Sequence, residues 1–310
     1  MPYILQTSHL GKMINGKELV TDVNIHVKKG EIYGFLGPNG AGKTTVMKMV
    51  TNLWKPTNGT VALFGKTLES NSYEVLKRMG SIIEFPTFYE HMSGKDNLQL
   101  HCEYMGYYNK GSVEESLEML NLAEAANKSV GSYSLGMKQR LGIARAILCR
   151  PELVILDEPT NGLDPAGMKQ IRDLFKMLCT EYGMTLMISS HLLSEIQSIA
   201  DTVGVINHGK MMQEISMKEI EETNAAYIEL MVEDTKRAAY VLAEKMQLNN
   251  FKIINDSKIR IYERNITTQK ISKELMKNDV EIVSIYQHTE SLEDYFLKMT
   301  GKDMEEGSFL

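Results

Sequence analysis

The chain has 310 residues, of which 43% are hydrophobic and 24% charged, and its formal net charge is −6. This is the balance of an ordinary globular protein, and the length predicts one large domain and one small one. The acidic excess disfavours a nucleic-acid partner, because such binding needs basic side chains that neutralise phosphates.

Hydrophobic residues occur in runs far shorter than the roughly 18 residues that cross a bilayer. The first residues lack the basic and apolar pattern of a signal peptide. The scattered cysteines Cys102, Cys149 and Cys179 fit neither a zinc site nor a disulfide framework and suit a reducing compartment. We therefore expect a soluble, cytoplasmic protein whose membrane role, if any, requires another chain.

The first strands are predicted within residues 3–36. Residues 25–27 and 32–36 are apolar runs around a turn at 28–30, which is typical of hairpin-like strands that end in a buried strand. A glycine-rich loop follows, and residues 44–54 have helical character. Strand, glycine loop and helix in this order are the context that a phosphate-binding loop requires.

Polar helices are predicted between about residues 94 and 130, where apolar residues recur at intervals of three and four. Two further buried strands are predicted at 153–156 and 185–188, with a helix between them. Strands that alternate with helices indicate a largely parallel α/β sheet.

The character of the chain changes after about residue 216. The pattern predicts strands at 228–232, 253, 259–261 and 282–286, with helices at 235–248 and around Ile271 and Leu275. The order β-α-β-β-α-β is that of the ferredoxin-like motif. We expect a small α+β domain over residues 216–310, with a final helix at 292–299.

The glycine-rich loop matches the pattern G-x-x-x-x-G-K-[ST]. Its glycines let backbone N–H groups turn towards phosphates, its lysine reaches the β and γ phosphates, and the hydroxyl after the lysine binds Mg²⁺. The helix that begins there adds its positive dipole end. The loop residues are Gly37, Pro38, Asn39, Gly40, Ala41, Gly42, Lys43, Thr44 and Thr45.

The strand at 153–156 ends in two carboxylates, Asp157 and Glu158. Buried parallel strands deliver such residues to the edge of the sheet where α/β folds bind ligands. Together with the phosphate loop, they predict that Asp157 holds Mg²⁺ and that Glu158 polarises the attacking water.

Three more motifs follow in a fixed order: Tyr133-Ser134-Leu135-Gly136-Met137 before a basic helix, Asn161-Gly162-Leu163-Asp164 after the carboxylates, and Ser189-Ser190-His191 after the next strand. Together with the phosphate loop and the carboxylates, they resemble the ABC-transporter nucleotide-binding domain. The resemblance covers roughly residues 3–215. It implies a P-loop NTPase cassette over residues 1–215, with a mostly parallel sheet, an antiparallel β subdomain and a helical subdomain at about 94–150.

In that family two cassettes face each other head to tail. The resemblance implies that Ser134 and Gly136 contact the γ-phosphate bound to the partner cassette and that Asp164 lines the dimer seam. His191 is expected to touch the γ-phosphate and to position Glu158. Since this chain carries one cassette, a second copy or a paralogue is required.

Three positions depart from the usual family pattern. Leu135 replaces the first glycine of the signature, and Ile14 stands where an aromatic residue usually stacks on adenine. Glu84 replaces the glutamine that contacts Mg²⁺, so we expect it to join Thr44 and Asp157 as a metal ligand while adding negative charge near the phosphates. Nucleotide binding should then depend more on phosphates than on the base.

These departures and the appended domain resemble the bacitracin-export and lantibiotic-immunity branch, which expels peptide antibiotics through separately encoded permeases. The resemblance implies an ATP-hydrolysing exporter subunit, peripheral on the inner face of the cell membrane. Two alternatives remain open. One is a soluble ribosome-associated or DNA-associated ABC ATPase, although such proteins usually carry two cassettes or a long inserted coiled coil. The other is a regulatory ATP-binding module with little turnover, which the Leu135 substitution in the signature would favour.

Overall fold

The structure is a computed structural model, and it describes residues 3–69, 71–223, 227–263 and 266–288. These residues form two compact units, which divide between Met217 and Lys218. The expected helix at 292–299 lies outside the described residues. Among the described helices, none combines the length and the apolar character that spanning a bilayer requires.

The larger unit contains ten strands and the first seven helices. Its strands are β1 (Tyr3–Ile14), β2 (Lys17–Lys28), β3 (Ile32–Leu36), β4 (Asn58–Leu63), β5 (Lys66–Thr67), β6 (Met79–Ile82), β7 (Leu153–Leu156), β8 (Thr185–Ser190), β9 (Thr202–Asn207) and β10 (Lys210–Ser216). Its helices are α1 (Lys43–Val50), α2 (Tyr73–Leu76), α3 (Gly94–Met105), α4 (Ser112–Met119), α5 (Leu135–Ile147), α6 (Pro165–Thr180) and α7 (Leu193–Gln197). A further helix, α8 (Met217–Thr223), begins at the division.

Two sheets organise this unit. The central sheet has the order β10-β9-β3-β8-β7-β6, in which β9 to β6 run parallel and β10 pairs antiparallel at the edge. The second sheet is antiparallel, with the order β2-β1-β4-β5. Apolar side chains from both sheets and from α1 form one core, in which Leu5, Phe35 and Met47 are fully buried. The expected mostly parallel sheet with an antiparallel subdomain is confirmed.

The expected hairpin of residues 25–27 with 32–36 is wrong. β2 pairs with β1, whereas β3 lies in the other sheet between β8 and β9. All five residues of β3 are buried, so both faces of this strand need cover, which only a central position in a sheet packed on both sides provides.

The helix expected at 44–54 is shorter than the pattern indicated. α1 ends at Val50, because Asn52 takes a left-handed φ of 61°. Such a residue does not continue a right-handed helix.

The smaller unit contains β11 (Tyr227–Val232), α9 (Thr235–Tyr240), β12 (Phe251–Asn255), β13 (Lys258–Ile261), α10 (Thr268–Lys277) and β14 (Ile282–His288). Its sheet is antiparallel, with the order β12-β13-β11-β14. Leu230, Ile259 and Leu275 are fully buried in a separate core.

The helix expected at 235–248 forms but ends at Lys245, and its last turn changes hydrogen bonding. After α9, residues Val241–Lys245 form a π-turn, and the N–H of Met246 donates to the carbonyl of Val241. The widened turn keeps Ala238, Val241 and Leu242 in the core together.

Candidate active site

The phosphate loop joins the buried strand β3 to α1. Gly42, which caps α1, has a left-handed φ of 108° that only glycine adopts without strain. A Cβ on Gly37 would lie 2.3 Å from the carbonyl oxygen of Ile206, so this position also excludes a side chain. Residues 38–45 and Glu158 line a pocket of about 190 Å³. With the free N–H groups of the first turn of α1, this pocket is an anion cradle.

Lys43 lies inside the cradle, and its side chain is only 6% exposed. Its ammonium donates to the carbonyl of Gly37 at 2.5 Å and to that of Pro38 at 3.3 Å. It also lies 3.3 Å from Oε1 of Glu158. A buried ammonium needs acceptors, and phosphate oxygens in the same pocket can replace the two carbonyls.

Asp157 is buried and held through both carboxylate oxygens. The Thr44 hydroxyl donates to Oδ2 at 2.7 Å, and the Ser189 hydroxyl donates to Oδ1 at 2.6 Å. The backbone N–H of Glu158 in turn donates to the Ser189 oxygen at 2.9 Å. The sheet thus brings the hydroxyl of α1 to the carboxylate after β7, and hydroxyl and carboxylate oxygens are ligands that Mg²⁺ prefers.

Glu158 lies between the imidazole of His191 and the ammonium of Lys43. Nδ1 of His191 is 2.9 Å from Oε2, while Oε1 faces Lys43 and makes no hydrogen bond within the described chain. The backbone of Glu158 has a φ of 48°, a conformation that costs a non-glycine residue on the order of 1–3 kcal/mol and clusters at functional sites. Its carboxylate is therefore fixed in direction, with Oε2 beside His191 and Oε1 ion-paired with Lys43 but without a hydrogen bond.

Sequence reasoning gave no role to Ser189 or Glu195. The buried carboxylate of Glu195 accepts from the Thr160 hydroxyl at 2.8 Å and from the Ser190 hydroxyl at 2.9 Å. It thereby joins the segment after Glu158 to the residue before His191. Polar residues at the end of a buried strand were the available signal for Ser189; no pattern pointed to Glu195.

The signature residues lie on another part of the surface. Ser134 caps α5 and accepts from the N–H of Met137 at 3.2 Å, and Asp164 caps α6 and accepts from that of Gly167 at 3.2 Å. Leu135 is 56% exposed and packs on Gly162 of the same chain. In the described structure, neither Ser134 nor Gly136 nor Asp164 lines the phosphate pocket.

Glu84 and Ile14, the two other residues that differ from the usual pattern, lie at strand ends. Glu84 follows β6 with a left-handed φ of 62°, and its carboxylate pairs with Lys48 of α1 at 2.6 Å. Ile14 ends β1 and is 37% exposed. β2 passes the phosphate loop just after this hairpin, because the carbonyl oxygen of Leu19 is 3.4 Å from a Cβ built on Gly42.

Comparison with known proteins agrees with this geometry. A family model described as "ABC transporter" matches residues 20–161. The uncharacterized ABC transporter ATP-binding protein YcbN of Bacillus subtilis is 56% identical over 96% of this chain and 97% of that protein. The bacitracin transport ATP-binding protein BcrA of Bacillus licheniformis is 42% identical over 97% of this chain and 98% of its own length.

The chain belongs to the ABC transporter ATP-binding family. The lantibiotic transport ATP-binding protein SrtF of Streptococcus pyogenes is 39% identical over 68% of this chain and 90% of that protein. A solved ATP-binding subunit of an ABC transporter has a TM-score of 0.65 at 25% identity, and covers 71% of this chain and 92% of its own.

Members of the family hydrolyse ATP, generally with Mg²⁺, and their ATP-binding subunits dimerise and work with membrane permeases. The residues of this chain fit such a ligand. The unbonded Oε1 of Glu158, the buried ammonium of Lys43 and the oxygen pair of Thr44 and Asp157 all face the phosphate loop.

Proposed function

We propose that this chain is the ATP-hydrolysing subunit of an ABC exporter that powers a separate permease, with peptide antibiotics of the bacitracin or lantibiotic type as cargo. The observation that carries the ATPase proposal is the placement of Glu158 between Lys43 and His191 beside the phosphate loop. The names of the relatives BcrA and SrtF support the cargo.

The site residues divide the work of hydrolysis. Residues 37–45 hold the triphosphate, with Lys43 on its β and γ phosphates. Thr44, Asp157 and Glu84 would hold Mg²⁺, which would neutralise charge on the phosphates. Glu158 accepts a hydrogen bond from the attacking water and orients it towards the γ-phosphorus, and His191 keeps the Glu158 carboxylate in place.

A second cassette completes the site. Ser134, Gly136 and Asp164 lie outside the phosphate pocket of their own chain, although a signature serine at a helix N-terminus is suited to bind a phosphate. Another copy or a paralogue facing this one would bring these residues to the γ-phosphate. The binding of ATP therefore closes a dimer.

A cleft in the larger unit supports docking of the permease. It has a volume of about 380 Å³, and Tyr73, Leu76 and Met105 contribute to its lining. Tyr73 is 69% exposed. An exposed aromatic side chain in an apolar cleft is typical of protein contact sites. Docking there would place the chain peripherally on the inner face of the membrane.

The second unit is proposed to be a ferredoxin-like accessory domain over about residues 216–310. The order β-α-β-β-α-β and the four-stranded antiparallel sheet support this assignment. Its separate core supports a boundary with the cassette at about residue 215.

The substitution Glu158→Gln tests the ATPase proposal. It should leave ATP binding intact and lower turnover by about 100-fold or more, because the amide orients water poorly and cannot take its proton. The variant should also persist as a dimer with ATP in gel filtration. Glu181→Gln, on an exposed turn, is the matched control. Unchanged hydrolysis in Glu158→Gln would remove Glu158 from the mechanism.

Exporter function is tested with a candidate permease, a polytopic membrane protein encoded by a neighbouring gene. Co-expression should give a membrane complex whose ATPase activity changes on reconstitution into a bilayer, and cells should gain resistance to bacitracin or a lantibiotic. A chain that purifies alone, with activity insensitive to the permease, supports a soluble regulatory or ribosome-associated ATPase instead.

A further inference from the structure

The ion pair of Lys48 with Glu84 lies on the magnesium side of the site. Lys48 follows Thr44 by four residues on α1, so the two side chains lie on one helix face, with their Cβ atoms about 5–6 Å apart. Glu84 comes two residues after Ile82, whose carbonyl accepts from the N–H of Asp157 at 2.9 Å. Lys48 is therefore close to Thr44, and Glu84 to Asp157, the two other residues proposed to hold Mg²⁺.

Lys48 is the more constrained partner. Its side chain is 18% exposed, against 58% for Glu84, and the ammonium lies 2.6 Å from Oε1 of Glu84. The same ammonium lies 4.7 Å from the ring centroid of Trp54, and the backbone N–H of Trp54 donates to the Lys48 carbonyl. The ring and the backbone thus hold the cation at one place, and Glu84 meets it there with a backbone φ of 62°.

We propose that Lys48 is a positioning residue that cancels the charge of Glu84 beside the triphosphate. A carboxylate at this place repels phosphate oxygens, whereas a carboxylate paired with an ammonium is neutral overall and still presents an oxygen. The pair then serves where a neutral glutamine is usual in the family. This inference rests on the proposed function, since it assumes that a triphosphate binds the loop.

The test compares ATP affinity of the full chain carrying Lys48→Met, Glu84→Gln, or both. Affinity is measured by calorimetry at low ionic strength, first in EDTA and then with MgCl₂. Lys48→Met should weaken ATP binding roughly three- to fivefold, a modest effect because Glu84 is solvated. The double variant should recover the wild-type affinity, and 1 M salt should shrink the differences, since the Debye length is then about 3 Å.

Lys95→Met is the matched control, because it removes a lysine from another ion pair, with Glu114 at 2.8 Å, in the helical segment. It should bind ATP as the wild type does. Glu84→Gln alone provides a second test that does not depend on the folding of Lys48→Met. It leaves the Lys48 ammonium unopposed, and in EDTA, where Glu84 has no metal ion to bind, ATP should bind more tightly by a similar factor.

Two results would overturn the inference. If Lys48→Met and the double variant bind ATP equally weakly, Lys48 acts through its contact with Trp54 and not through charge. If in EDTA Lys48→Met matches the wild type, or Glu84→Gln fails to tighten ATP binding, the pair has no electrostatic role at this site. A wild-type chain that binds no ATP would instead overturn the proposed function itself.

Discussion

Single side chains decide how the site of this cassette is held together. Asp157 and Glu158 were predicted from one apolar strand that ends in two acids, and their placement follows from the register of β7 in the sheet. Ser189 was not assigned a role, although it bonds to both residues. A serine at a strand end is common, and only the pairing of β7 with β8 shows what this one contacts.

We expect Ser189→Ala to loosen this arrangement. The change leaves an oxygen of Asp157 and the N–H of Glu158 without a buried partner, which costs about 1–3 kcal/mol of folding free energy. Denaturant unfolding should show this loss, and the Mg²⁺ concentration for half-maximal hydrolysis should rise. Ser198→Ala, at an exposed position, is the control. A wild-type magnesium dependence in Ser189→Ala would contradict the proposed positioning of Asp157.

Ile14 leads to a prediction about the base. Without an aromatic ring, competition binding should show little discrimination between ATP and GTP. Ile14→Tyr should tighten both by about 1–3 kcal/mol, because stacking on a base contributes this much. Met13→Tyr places the same ring on the opposite face of the strand and should change neither affinity. A strong adenine preference in the wild type would show that other residues recognise the base.

Elements meet closely where β6 crosses the end of α5. A Cβ on Gly80 would lie 1.9 Å from the carbonyl oxygen of Ala146. The strand that leads to Glu84 and the helix that begins at the signature are therefore in backbone contact. The sequence shows a glycine at this position but not its neighbour, since 66 residues separate the two along the chain.

Gly80→Ala should force this contact apart. Overpacking costs about 1–3 kcal/mol, and the movement needed here places the variant at the upper end. Thermal or denaturant unfolding of the cassette measures the cost. Gly11→Ala is the control, because its Cβ would meet atoms no closer than 3.5 Å. Equal stability of the two variants would mean that β6 and α5 separate without cost.

At the scale of the whole molecule, the two units have separate hydrophobic cores. Separate cores allow one unit to lose packing without the other. We therefore expect the proposed ATP site, whose residues in this chain lie in the larger unit, to tolerate damage to the smaller one.

Leu230→Ala tests this independence. Leu230 is fully buried in the centre of the small sheet, and truncation of such a leucine costs about 2–5 kcal/mol. Calorimetry should show an earlier transition for the smaller unit, while ATP affinity at 25 °C stays unchanged. Met276→Ala, at a 66% exposed position, should change neither. Weakened ATP binding in Leu230→Ala would reveal coupling between the units.

The sequence by itself determined the family and the layout of the cassette, because short motifs with backbone-level functions must keep their residue types and order. The phosphate loop needs glycines at fixed positions, and a buried strand needs an unbroken apolar run. The glycines of the loop and the apolar run of the strand are local requirements, so they are visible in the sequence alone. The family assignment that rests on them is confirmed.

Only the tertiary structure decided which distant residues meet. β3 lies in the central sheet and not in a hairpin. Glu195 accepts hydrogen bonds from both Thr160 and Ser190, and Lys48 pairs with Glu84, which is 36 residues away in the sequence. Strand pairing and side-chain contact depend on burial and on long-range register. A local pattern constrains these only weakly, since one run of apolar residues can pair with several partners.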